Sequence, residues 1–208
     1  KTLSERNPDI YKELYVYSTC FERGGSRLAQ PEISRFSHEE EVWGDLIISD
    51  AIRASLSIPG IFMTHTLHFK DATGQRHARE HHGKFIDGGL IRNYPIDAFD
   101  DEKYQEDRCF RGDKTNRRTL GLSLVDTTPS EVEVIEETHL SGNLVKNLIS
   151  TYYNAEQILM NETGKYRDRS IIIPVSGVSL TDFNISEEKK AEIILAGRSA
   201  THFFLAAT

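Results

Sequence analysis

The chain has 208 residues, of which 38% are hydrophobic and 27% charged, and it carries a formal net charge of −7 at pH 7. These proportions suit one globular domain and exclude a fibrous or disordered chain. The acidic balance argues against nucleic acid as a partner, because phosphate binding needs concentrated positive charge. No apolar run approaches the roughly 18 residues needed to span a bilayer. Cys20 and Cys109 are too few for a disulfide framework and favour a reducing compartment. The sequence begins Lys1-Thr2-Leu3, without an initiator Met or a signal peptide, as in a processed product or a proteolytic piece.

In chain order, Glu13–Phe21 alternates Leu14, Val16 and Ser18 against Tyr15, Tyr17 and Thr19, which predicts a strand ending in a turn at Gly24-Gly25. Leu46–Leu56 predicts a short helix with Ala51, Ile52 and Leu56 sharing its apolar face, stopped by Ser57-Ile58-Pro59-Gly60. Two strands are expected at Thr64–Phe69 and Gly83–Asp87, joined by a polar, histidine-rich hairpin insertion. Arg118–Asp126 reads as a strand buried on both faces, and Gly142–Asn161 has the clearest helical period. Ser170–Val175 predicts another strand, and a final helix starts near Asn184 or Ser186 and runs to about Ala206. Asn184 and Glu187 have the spacing of a capping box. Strands alternating with helices point to an α/β layered domain.

Chemistry concentrates in Phe85-Ile86-Asp87-Gly88-Gly89, with Asn93-Tyr94-Pro95 shortly after. An apolar strand delivers a carboxylate, and two glycines let the chain turn at once with other backbone close by. One reading is a plain Asx-type turn in which Asp87 bonds its own backbone. The other is a carboxylate held at a strand end, where α/β sheets place their ligands.

Upstream lies Asp50-Ala51-Ile52-Arg53-Ala54-Ser55-Leu56-Ser57-Ile58-Pro59-Gly60-Ile61-Phe62. Together with the Asp87-Gly88-Gly89 turn and Asn93-Tyr94-Pro95, this segment closely resembles the patatin-like phospholipases. The resemblance is strongest over about Leu46 to Asp97 and looser beyond. It implies a three-layer α/β/α fold and a lipid acyl hydrolase working through a Ser-Asp dyad, with Asp87 as the dyad aspartate. It also implies that Gly88 and Gly89 shape the site, that no cofactor or metal is needed, and that the substrate is a phospholipid or other acyl lipid at a membrane surface. Substrate-binding residues are not indicated.

The nucleophile of that family sits in a Gly-x-Ser-x-Gly elbow, and this sequence has none. Gly121-Leu122-Ser123-Leu124-Val125 and Gly177-Val178-Ser179-Leu180-Thr181 each lack the second glycine. Gly24-Gly25-Ser26 reads as a hairpin turn and not as the family's oxyanion loop. Residues 1–208 are therefore expected to form the C-terminal part of a patatin-like domain. The nucleophile would come from an N-terminal part, upstream or on a separate chain. Without that part, strand Gly121–Asp126 is expected to expose apolar faces and unpaired edges. A non-catalytic lipid- or protein-binding module on the same scaffold is the alternative. A cytoplasmic or membrane-peripheral location fits either.

Weaker signals have plainer accounts. His65, His68, His77, His81 and His82 cluster in sequence without well-placed cysteine or carboxylate partners, so a solvated insertion is expected and not a metal site. Arg53 suits a structural salt bridge better than a head-group contact, and Ser55 and Ser57 are expected to pack or cap. The basic run Arg108–Arg118 reads as a charged loop. The end of the last helix, with Phe203, Phe204 and Leu205, is expected to dock on the body.

Overall fold

The computed structural model describes residues 13–101, 104, 110–111, 115–127, 166–178 and 183–207, together with Asn7 and Ile10. Two compact units make up the chain, Lys1–Asn93 and Tyr94–Thr208. Both mix strands and helices, as the alternating sequence pattern predicts. The predicted helix over Gly142–Asn161 lies outside the described residues.

The first unit is organised by strand β1 (Val16–Arg23), which turns at Gly24-Gly25 into β2 (Ser26–Phe36). Both glycines have positive φ, 59° and 77°, which only glycine adopts readily. Helix α1 (Ile48–Ser55) follows, then β3 (His65–Thr66), β4 (His68–Lys70), β5 (Arg76–Ala78), a 3₁₀ turn at Glu80–His82, β6 (Lys84–Asp87) and the single-turn helix α2 (Gly89–Arg92). The main sheet is antiparallel with the order β2-β1-β6-β3. The stretch predicted as one strand over Thr64–Phe69 is two. The chain leaves the main sheet at Leu67, and β4 pairs instead with β5 as a side hairpin.

The core lies between this sheet and α1, and aromatic rings dominate it. Phe36 meets Trp43 and Phe85 edge-on at centroid distances of 5.0 and 5.3 Å. The helix packs through its small residues: Ala51 and Ala54 are buried while Ile52 and Leu56 are exposed. Of the predicted apolar face only Ala51 is buried; Ile52 and Leu56 turn outward, because Ala51 and Ala54 allow closer approach to the sheet.

In the second unit, β7 (Phe110–Arg111) pairs with β8 (Thr115–Asn116), and β9 (Gly121–Asp126) runs parallel to β10 (Ser170–Val175). Helix α3 (Glu187–Ala207) lies on β10, with Gly197 opposite the Ile173 side chain. Its start is held by the Ser186 hydroxyl, which accepts the Lys189 N–H at 3.2 Å, so Ser186 takes the capping place offered by Asn184. One expectation fails here. Leu122 and Leu124 of β9 are 64% and 58% exposed, so this strand is not buried on both faces. Phe203 and Leu205 are exposed, whereas Phe204 between them is half-buried.

A buried ion pair holds the second unit. The Arg169 guanidinium meets both carboxylate oxygens of Asp100 at 2.6 and 2.7 Å and also donates to the Asn116 carbonyl. Losing one member strands the other charge. Arg169→Met is therefore expected to cost about 3–5 kcal/mol in denaturant unfolding, and the Asp100→Asn/Arg169→Met double variant less than the single one.

In the first unit, His82 lies against Trp43 and Phe69, and its Nε2 is buried without a hydrogen-bond partner among the described residues. Burial, then the charges of His81, Arg79 and Arg23, hold its pKa below the usual histidine value. The folded protein resists a proton that the unfolded chain accepts, so His82 costs stability as pH falls below about 6.5. Thermal unfolding at pH 7.5 and 5.5 is expected to show a drop in Tm that shrinks in His82→Gln.

Candidate active site

Strand β6 alternates in burial, so Phe85 and Asp87 lie on the same face, one in the aromatic core and the other at the strand's end. Asp87 is 8% exposed, a buried carboxylate and not a solvated one. Its Oδ1 accepts the Gly89 N–H at 2.7 Å, and its own N–H donates to the Ser57 carbonyl at 3.0 Å. The turn after α1 and the end of β6 are thus laced together, which brings the two linked sequence motifs into direct contact.

Gly88 is required by proximity. A Cβ at this position would lie 2.2 Å from the Tyr17 carbonyl oxygen and 2.6 Å from its carbon. The chain turns beneath β1 at a distance that only hydrogen allows. Gly89 donates the N–H that holds the carboxylate and opens α2. The ring of Tyr17 also carries the Arg92 guanidinium, 5.3 Å from its centroid, tying the end of α2 to β1.

Two serines lie near this carboxylate, and neither is activated by it. Ser18 is the cross-strand partner of Asp87, but its hydroxyl donates to the Ile86 carbonyl at 2.7 Å. Ser57 donates to the Arg53 carbonyl at 2.7 Å, a back-bond that closes the end of α1, as its capping role predicts. The exposed side chains Ile48, Ile52 and Leu56 form a stripe along α1, continued in sequence by Phe62 and by Met63, which is 87% exposed. Arg53 is exposed as well, with no salt bridge among the described residues.

A second polar centre was not legible in the sequence. Asp50, 3% exposed in the first turn of α1, receives His65, His68 and Arg76. His65 Nε2 and His68 Nδ1 are 2.7 and 2.9 Å from Oδ1, and the Arg76 guanidinium is 2.9 Å from Oδ2. Burial acts to raise the Asp50 pKa, but the hydrogen bonds and charges of His65 and His68 outweigh it and hold the group below the usual carboxylate value. His77 stands apart, paired with Asp71 at 2.8 Å on the exposed hairpin.

Comparison with known proteins agrees with the motif reading. Residues 18–100 match the family model described as patatin-like phospholipase. Among individual relatives, the uncharacterized protein YqhO of Bacillus subtilis (strain 168) is 27% identical over 163 residues, covering 76% of this chain and 46% of YqhO. The probable M18 family aminopeptidase 2 of Borreliella burgdorferi is 32% identical over 88 residues, 42% of this chain and 19% of that protein. The chain thus spans less than half the length of these curated relatives. No helix among the described residues is long and apolar enough to cross a membrane.

The close approach at Gly88 gives a direct test. Gly88→Ala is expected to lower stability by about 1–3 kcal/mol, the range for overpacking a closed site, read as a lower denaturant midpoint.

Proposed function

We propose that this chain supplies the aspartate of a lipid acyl hydrolase, with Asp87 accepting the proton of a serine borne by another stretch of polypeptide. The observation that carries the reading is a buried carboxylate at a strand end, fixed by the Gly89 N–H, inside a segment that matches the patatin-like family. One oxygen is committed to orientation. The carboxyl group can then accept a proton from a hydroxyl and return it through water to the leaving group. Gly88 and Gly89 shape the site without transferring protons.

In this proposal the chain is the C-terminal part of a three-layer α/β/α patatin-like domain. The nucleophile-bearing part lies upstream in the same polypeptide or on a separate chain. The uncovered stripe on α1, the turn following it and the open leucines of β9 support the reading: such surfaces meet either complementary protein or acyl chains. The substrate is a phospholipid or other acyl lipid at a membrane surface, handled by a cytoplasmic or membrane-peripheral protein without a cofactor.

A second reading draws on the same hydrogen bond. The 2.7 Å contact from the Gly89 N–H to Oδ1 is also what a purely structural Asx turn makes, on a non-catalytic lipid- or protein-binding module. Asp87→Asn separates the two, since the amide keeps an acceptor oxygen but cannot serve as the base. In the full-length protein, ester hydrolysis with phospholipid vesicles is expected to fall about 10²–10⁴-fold with little change in Tm. Equal rates would remove Asp87 from catalysis and favour the module.

A further inference from the structure

We infer that Asp50, His65 and His68 form a binding site for a divalent borderline cation of the Zn²⁺ type, seated between the start of α1 and strands β3 and β4. The donor atoms are Asp50 Oδ1, His65 Nε2 and His68 Nδ1, which all lie within 4.8 Å of one another.

Three elements bring them together. His65 opens the two-residue strand β3, the chain leaves the main sheet after Thr66, Leu67 is fully buried, and His68 begins the side hairpin. This change of sheet lets two side chains three positions apart converge on one oxygen. Asp50 is delivered from above by the first turn of α1. Both ring nitrogens point at the same carboxylate oxygen, so either each ring presents an N–H to Oδ1 or one cation takes all three atoms as ligands. Two imidazoles and one carboxylate suit Zn²⁺ far better than Mg²⁺ or Ca²⁺, which take oxygen ligands.

The outer contacts fit the same chemistry. Arg76 occupies Oδ2 and leaves Oδ1 facing the rings, as outer partners orient metal-binding carboxylates. The nitrogen–oxygen separations of 2.7 and 2.9 Å would open to about 3.3 Å around a tetrahedral ion with bonds near 2.0–2.1 Å, a small rotation of two rings. Three protein ligands leave a coordination position for water, on the side of the partly exposed His68. The other histidines are arranged differently: His77 is paired with Asp71, and His81 lies against the His82 ring at 4.2 Å. The bound ion would clamp α1 to the edge of the sheet whose next strand, β6, ends in Asp87.

The test is metal binding by the full-length protein after removal of bound metal. Zn²⁺ titrated calorimetrically is expected to bind at one site with micromolar affinity and to raise Tm. Co²⁺ is expected to give visible absorption bands of a four- or five-coordinate site. His68→Gln should weaken binding at least 10-fold and abolish the rise in Tm, whereas His77→Gln/His81→Gln should bind like wild type. Absence of visible Co²⁺ bands in wild type would overturn the inference without reliance on any variant. Unchanged affinity in His68→Gln, or lost affinity in the His77→Gln/His81→Gln control, would also overturn it.

Discussion

Everything proposed for catalysis depends on one short hydrogen bond, from the Gly89 N–H to Asp87 Oδ1, and on the space that makes it possible. The bond forms because the chain turns within van der Waals reach of the Tyr17 carbonyl, and Gly88 carries no side chain to prevent it. The pairing of β1 with β6, Ser18 opposite Asp87, fixes where that turn begins. The Ser57 carbonyl then anchors the Asp87 backbone from the side of α1. Sheet register, helix end and glycine turn meet at a single carboxylate, so its position is over-determined by the fold. Positioning of this kind is what a proton acceptor needs, since small displacements of a reacting group cost large factors in rate.

The two polar centres are built on opposite ends of α1. Asp50 sits in its first turn, and Ser57 lies just past its last residue, tied to Asp87. Between them the helix buries little more than Ala51 and Ala54. Its placement owes much to polar contacts at its ends, and only part to side-chain volume. The Asp50 cluster therefore has a structural role whether protons or a cation bridge its groups: it decides how α1 starts, and so how its far end approaches β6.

Much of this was readable from the residues, for identifiable reasons. The turn at Asp87-Gly88-Gly89 was legible because an apolar strand followed at once by paired glycines marks a strand end where the chain can turn close to other backbone, and the upstream segment made the match specific. The hairpin at Gly24-Gly25 and strand β10 followed from turn chemistry and β-branched content. The Asp50 centre was hidden because its members are 15, 18 and 26 residues apart and converge only through the change of sheet at Leu67. No periodicity encodes that break. The buried side of α1 was misassigned because hydrophobicity ranks Ile52 and Leu56 above alanine, whereas close packing against a sheet selects the smaller residue. Strand β9 was read as doubly buried from its leucines alone, which mark surfaces able to be covered without saying what covers them.

The departure of the chain from the main sheet at Leu67 has an architectural outcome. Strands β4 and β5 form a two-stranded arm, and its tip from Asp71 to Gly74 is knit by the Asp71 carboxylate, which accepts the Thr73 and Gln75 N–H groups. Lengthening or shortening this tip leaves the alignment of β6 with β1 untouched, since the arm shares no ladder with either. Loop grafts or reporter peptides placed there would be insulated from the carboxylate at the end of β6.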